Sequence, residues 1–175
     1  MRVITGTARG KRLKTLQGTD VRPTSDKTKE ALFSIIQFDL EGTHVLDLFS
    51  GSGQLGIEAI SRGAVHCVFV DLDKDSVKII KENLKYTGFG AKSSIINTDA
   101  LSYLSMCDNK FDIVFLDPPY NSSLAVSALK LIDRVLNKGA IVVCETSNDV
   151  VLPETVGGNA VKRYKYGKTI LSVYR

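Results

Sequence analysis

From residue 44 onward, short unbroken apolar runs alternate with longer stretches whose apolar residues recur every three or four positions. Runs of this kind, without polar alternation, predict strands buried on both faces, hence a parallel sheet covered by helices. Strands are predicted at 44–48, 66–70, 93–97, 111–116 and 140–144. Helices are predicted over about 53–62, 74–86, 100–105 and 122–136, with Gly63, Gly88 and Gly139 just beyond three of them, where glycine suits a helix end. The rhythm breaks near the C-terminus. Residues 161–165 and 169–174 alternate in character around Tyr166-Gly167, which predicts a β-hairpin. Ahead of the sheet, residues 1–22 hold short β-type pieces around Gly6 and Gly10, read as a small basic hairpin. A helix then runs to about residue 38, capped by Thr24 or Ser25, with Glu30 placed for a capping box and Leu32, Phe33 and Ile36 on one face. Residues 1–40 are expected to form an appendage to a single α/β domain over 41–175.

Composition narrows the setting. The 175 residues are 43% apolar and of near-zero mean hydropathy, which suits a globule large enough for a sizeable core. The longest apolar runs are strand-sized and Met1 opens a polar, basic segment, so neither a membrane span nor a secretory signal is expected. Cys67, Cys107 and Cys144 are odd in number and widely spaced, which predicts free thiols in a reducing cytoplasm. His44 and His66 each open a strand and read as strand-edge polar residues rather than metal ligands. A monomer is the expected state. The net charge of +4 conceals a division: residues 1–30 carry eight Lys/Arg against three acids, residues 159–175 five against none, and the middle ten against sixteen. Basic ends on an acidic body suggest a polyanion held by the terminal segments, with Arg9, Lys11, Arg12, Lys162 and Arg163 as candidate contacts.

Two motifs carry candidate chemistry. Gly51, Gly53 and Gly56 fit G-x-G-x-x-G between a buried strand and a helix start, and Asp71 lies 20 positions beyond Gly51 at the end of the next apolar run. Such glycines permit close backbone approach to a nucleotide, and the later acid takes a ribose hydroxyl. Asp47 sits at the mouth of this loop, where a fixed negative charge repels a pyrophosphate but welcomes an ammonium and a sulfonium. S-adenosylmethionine meets that description; NAD does not. The second motif is Asp117-Pro118-Pro119-Tyr120, directly after the apolar run ending at Leu116. Its stiff backbone presents a carboxylate, a free carbonyl and a flat ring at one spot. Asp117 and the Pro118 carbonyl can accept from an exocyclic amine while Tyr120 stacks on its ring; the plainer reading is a Pro-Pro turn leaving a buried strand. Asp47, Asp71, Asp99 and Asp117 thus stand at four equivalent strand ends, where an open α/β sheet binds its ligand.

With these motifs the chain resembles class I S-adenosylmethionine-dependent methyltransferases that modify exocyclic amines. More narrowly, it resembles the family of bacterial guanine-N2 methyltransferases that act on 16S rRNA. The narrower marks are Arg22-Pro23-Thr24, Lys29-Glu30-Ala31-Leu32-Phe33, residues 46–53, residues 57–64 and the Asp117–Tyr120 tetrapeptide. The resemblance implies a Rossmann-like fold whose mostly parallel sheet has seven strands, the C-terminal hairpin adding its antiparallel part. It implies that Asp47, Phe49, Ser50 and the Gly51–Gly53 loop hold the methionine part of the cofactor, and that Asp71 takes the ribose. Leu72 would pack on the adenine, with Asp99 and Ala100 at its edge. The implied substrate is a loop guanine of 16S rRNA, within a particle of the small ribosomal subunit. Arg22 lies near the cleft by the same resemblance, although a helix lead-in explains it equally. Asp99 also reads as an N-cap, Glu58 and Arg62 as a surface pair, and Glu145 as a possible border of the base pocket. Three alternatives remain at this point: adenine-N6 methylation of DNA or RNA, an NAD-dependent oxidoreductase, and a catalytically silent RNA-binding domain.

Overall fold

The computed structural model describes residues 1–16, 26–119 and 123–175. An eight-stranded sheet runs through its centre in the order β3-β2-β1-β4-β5-β8-β7-β6. Strands β1 (His44–Leu48), β2 (His66–Asp71), β3 (Ser93–Asn97), β4 (Phe111–Leu116) and β5 (Leu136–Ser147) are parallel. β8 (Thr169–Tyr174) pairs antiparallel with β5, β7 (Asn159–Tyr166) with β8, and the two-residue β6 (Thr155–Val156) with β7. The seven expected strands are present, and β6 adds a short eighth at the edge. Strand order reverses between β1 and β4, so a crevice opens beyond their carboxyl ends.

Successive strand residues face opposite layers. Val45, Phe69, Ile113, Phe115 and Val143 pack with Ile57 and Ile60 of α2 (Gln54–Ser61), Ile80 of α3 (Lys74–Thr87) and Phe33 of α1 (Asp26–Ile35). Leu46, Leu48, Val70, Val114 and Leu116 pack on the other side with Leu104 of α4 (Ala100–Met106) and Ala128 of α5 (Ser123–Leu131). This double burial is why the strands read as unbroken apolar runs. Asp47 shares the parity of Val45, so its side chain belongs to the α2 face. A methyl group on Gly56 would lie 2.4 Å from Phe69 and 2.5 Å from Cys67. The third glycine of the motif therefore lets α2 lie directly on β2. α3 shows the usual grammar of a helix: Asp73 accepts from the backbone N–H of Asp75 and Ser76, and Val77, Ile80 and Leu84 are buried.

Several boundaries differ from expectation; among them β5 runs to Ser147 rather than residue 144 and β7 begins at Asn159 rather than residue 161. α5 stops at Leu131, a 3-10 turn occupies Ile132–Val135, and β5 begins at Leu136 rather than residue 140. Leu136 pairs with Phe111 while Ile141 pairs with Ile113, so β5 bulges between them. Asn137 anchors the bulge by donating to Asp112 Oδ1 (2.7 Å). The expected N-terminal hairpin is present and short, built around one antiparallel bridge, Arg2 with Arg12. Val3, Gly10 and Leu13 also donate within the hairpin, to the carbonyls of Lys11, Val3 and Met1, while Ile4 and Thr5 donate to the Glu58 carboxylate of α2, Thr7 to the Ser61 carbonyl, and Ala8 to Ser61 Oγ. α1 ends at Ile35 and leaves Phe38 outside it and exposed; its expected caps, Thr24 and Ser25, lie outside the described residues. All three cysteines are buried and free, and His66 bonds Ser94 Oγ (3.0 Å) at the strand edge. Among the described residues no helix is long and apolar enough to cross a membrane.

Candidate active site

A cavity of about 560 Å³ lies at the carboxyl ends of the parallel strands. Its floor is the turn after β1. Phe49 has φ 60°, the one non-glycine residue in the left-handed region among those described. Such a backbone costs an L-residue about 1–2 kcal/mol, and here it turns the chain abruptly out of the sheet. Ser50 secures the turn: its Oγ donates to the Asp47 carbonyl (2.6 Å) and its N–H to the Val70 carbonyl (3.1 Å). Gly51 N–H donates to Asp71 Oδ2 (2.7 Å), which joins the glycine loop to the end of β2. Phe49, Ser50 and Gly51 line the cavity. Gly53 does not; buried at the N-cap of α2 with φ 76°, it shapes the loop from below.

The acids gather as the strand ends predict. Asp47 is 1% exposed and its Oδ2 accepts from Gly56 N–H (2.9 Å). Burial pushes its carboxyl well above the ordinary range, and the charges of Asp117 and Asp71 push the same way. A cation beside this carboxyl would offset the cost of its ionisation. Asp71 accepts from Gly51 and Asp73 N–H, yet burial still raises its pKa. Beside it Leu72 is 69% exposed and forms an apolar part of the wall. Asp99 caps α4 through Ser102 N–H (2.8 Å) and, with Ala100, also borders the cavity, so its two readings coexist in the geometry. Asp117, Pro118 and Glu145 line the opposite side. Tyr120 and Arg22 lie outside the described residues.

This arrangement has relatives. The family described as conserved hypothetical protein 95 matches residues 1–175. The chain belongs to that family. It is 41% identical over 181 aligned residues to YlbH of Bacillus subtilis, a provisionally named rRNA methyltransferase, covering 100% of this chain and 98% of the relative. It is 37% identical over 161 residues to ribosomal RNA small subunit methyltransferase D of Haemophilus influenzae, covering 88% and 83%. Among solved structures, yhhF of Escherichia coli, provisionally named a methyltransferase, superposes with TM-score 0.87 at 27% identity over 99% of this chain and 96% of the other.

Within this family member, sequence reasoning missed two contributors to the cavity. Gln54 opens α2, is 6% exposed, and its Oε1 has no hydrogen-bond partner among the described residues. Its signal was a polar residue just after the glycine loop, ahead of the apolar Leu55 and Ile57. The second is the N-terminal arm, which supplies Met1, Thr15 and Leu16. Buried Asn83 holds it in place: Nδ2 donates to the carbonyls of Ser52 (2.9 Å) and Lys14 (3.0 Å), and Oδ1 accepts from Lys14 N–H (2.8 Å).

None of the five described basic candidates lines the cavity. Lys11 donates to the Tyr86 and Thr87 carbonyls at the end of α3, and Arg163 bonds Glu154 and the Leu152 carbonyl. Arg9, Arg12 and Lys162 are exposed. Thr169 at the start of β8 lines the cavity, so the β7–β8 turn with exposed Lys168 stands at its rim.

Asp47→Asn separates stability from binding. A folded pKa above the unfolded value near 3.8 means the ionised form destabilises the fold. That penalty is absent below the unfolded pKa and complete above the folded one. At pH 8 the asparagine variant should therefore melt higher, by about 2–4 °C for each kcal/mol relieved. Its affinity for a cationic ligand should fall about tenfold or more, the worth of one hydrogen bond to a charged group. Calorimetric melting and ligand titration check both signs.

Proposed function

We propose that the protein transfers a methyl group from S-adenosylmethionine to the exocyclic N2 of a guanine in small-subunit rRNA. The observation that carries this reading is that the Asp117-Pro118 corner opens onto the same cavity as Asp47, Gln54 and Asp71. The names of the relatives support it. The donor set also suits the cofactor: the buried Asp47 carboxyl and Gln54 Oε1, which has no hydrogen-bond partner among the described residues, can both accept from an ammonium. The same acids oppose a dinucleotide pyrophosphate. Bound S-adenosylmethionine supplies an electrophilic methyl carbon on sulfonium. Phe49, Ser50 and Gly51 enclose the methionine part, with Gly53 shaping their loop. Asp71 accepts from the ribose hydroxyls, Leu72 covers an adenine face, and Asp99 and Ala100 border its edge.

The target amine is the weaker reactant, because its lone pair is delocalised into the purine. The Asp117 carboxylate and the Pro118 carbonyl accept its two N–H groups, which orients the lone pair and raises its electron density. Tyr120 holds the ring by stacking. Positioning of this kind can lower a barrier by up to about 7–11 kcal/mol. The base must leave its stack to reach the corner, which favours a loop nucleotide over a paired one. The proposed partner is 16S rRNA in a small-subunit particle, met by a monomer.

Tritium transfer from labelled cofactor to small-subunit particles lacking the modification tests the reading, followed by nucleoside analysis. Label in N2-methylguanosine is expected. Label in N6-methyladenosine would replace guanine by adenine as the target, and absence of transfer would overturn the activity.

Phosphate contact through the exposed arm has its own test. Arg9→Glu with Arg12→Glu should weaken RNA binding and flatten the slope of log K against log salt by about 1.4–2. Lys11 is left intact because it holds α3. Titrations between low and moderate salt check this, and an unaltered slope would remove the arm from the RNA interface.

A further inference from the structure

β4 and β5 are neighbouring parallel strands, and Leu116 pairs with Cys144. The next residues, Asp117 just beyond β4 and Glu145 still within β5, therefore stand side by side on one face. Both line the cavity. Their common location also registers on Cys144, whose thiol is pushed up first by burial and then by the charges of Asp117 and Glu145. Asp117 and Pro118 account for the target amine. Glu145, a half-buried carboxylate on the same wall, has no part in that step.

We propose that Glu145 reads the base edge beside the amine, accepting the N1–H of guanine and so selecting guanine over adenine. The inference rests on the methyltransferase reading above and adds a specificity residue to it. Guanine presents two adjacent donors on this edge, N1–H and the N2 amine. Adenine presents its N6 amine beside an unprotonated N1, which is an acceptor. An ionised carboxylate only accepts. Two carboxylates, each one residue beyond the paired Leu116 and Cys144, thus match the guanine edge. Against adenine, with the amine seated at Asp117, Glu145 would face the N1 lone pair and lose its water without gaining a bond. Rejection through an unpaired buried polar group is the stronger form of discrimination, since a purely apolar pocket separates similar ligands poorly. Methylation of N2 rather than N6 then follows from the strand register that places residue 145 beside residue 117.

2-Aminopurine isolates this contact, because it keeps the N2 amine but has an unprotonated N1. Small-subunit particles reconstituted with guanine or 2-aminopurine at the target position serve as substrates. The wild-type protein should favour guanine by about 100-fold or more in kcat/KM. Glu145→Gln, whose amide can turn a donor toward N1, should compress that preference at least about tenfold, with S-adenosylmethionine affinity unchanged by calorimetry. Glu145→Leu, which neither donates nor accepts, should bring the ratio toward unity by slowing guanine alone. A wild-type preference retained in both variants would overturn the assignment, since a merely structural residue would slow both bases equally. Failure of the wild-type protein to methylate guanine particles would instead refute the underlying activity, before any variant is compared.

Discussion

Asp117→Ala should lower methyl transfer at least about 10³-fold, the scale lost when one aligned polar group leaves a reacting centre. Cofactor affinity should change by no more than a few-fold. On the proposed reading the two numbers separate, because Asp117 would accept from the target amine while Asp71, Asp47 and the glycine loop would hold the cofactor on the other part of the wall. Asp117→Asn keeps the shape and one acceptor but cannot take a proton, so it distinguishes orientation from proton removal. Substantial recovery with asparagine assigns the residue to orientation; its absence assigns the proton to Asp117. A secondary effect has a definite sign. The Asp117 charge helps hold the Asp47 carboxyl up, so either substitution should shift the acid limb of cofactor binding to lower pH. Single-turnover transfer with labelled cofactor gives the rate, and calorimetric titration across pH gives the limb. If affinity collapsed along with the rate, Asp117 would belong to the cofactor site and the amine would need another acceptor.

Most of this architecture was legible because both sheet faces are covered. Continuous apolar runs marked the five parallel strands, and glycines and acids at their ends marked the crevice. The acids at 47, 71, 99 and 117 could be placed at one site without coordinates, since parallel strands in one sheet deliver their carboxyl ends to one edge. The missing parts have local physical causes. The stretch from Leu131 to Leu136 reads as the end of a helix, but it tightens into a 3-10 turn over Ile132–Val135, and pairing with Phe111 draws Leu136 into the sheet. Asp47 could be placed at the loop mouth, but the desolvation that raises its pKa is displayed by no pattern. Lys11 read as a free cation, although it closes the carbonyl end of a helix 75 residues away. Glu58 is the instructive error. Spaced four residues from Arg62, it looked like half of a surface pair. Its neighbours Leu55, Ile57, Ala59 and Ile60 are apolar on every side, and a helix apolar all round is a buried helix. The acid inside it had to be buried and paired.

Removal of that acid is the second large effect expected. Glu58 is fully buried, with Arg62 Nε at 2.8 Å, Lys29 Nζ at 3.7 Å, and the N–H groups of Ile4 and Thr5 at 2.8 and 3.0 Å. Lys29 is equally buried, and burial pulls its pKa down while the Glu58 charge opposes the fall. Glu58→Ala would leave that ammonium with its backbone partner, the Arg2 carbonyl, and no ion partner in the core. Breaking a buried pair from one side costs about 3–5 kcal/mol, and at about 2–4 °C per kcal/mol the melting temperature should fall by roughly 6–20 °C. The loss should ease as pH rises, since a deprotonated Lys29 no longer needs its partner. Lys29→Met in the same chain should recover much of the stability at neutral pH, because the stranded charge is then gone. Recovery of the fold should not fully restore cofactor binding. Ile4 and Thr5 would still lack their acceptor, and the arm they anchor carries Met1, Thr15 and Leu16 to the cavity wall. A double variant that regains its melting temperature but binds S-adenosylmethionine more weakly than wild type would show that the arm is part of the site. Full affinity in that variant would mean that Asn83 alone keeps the arm in place.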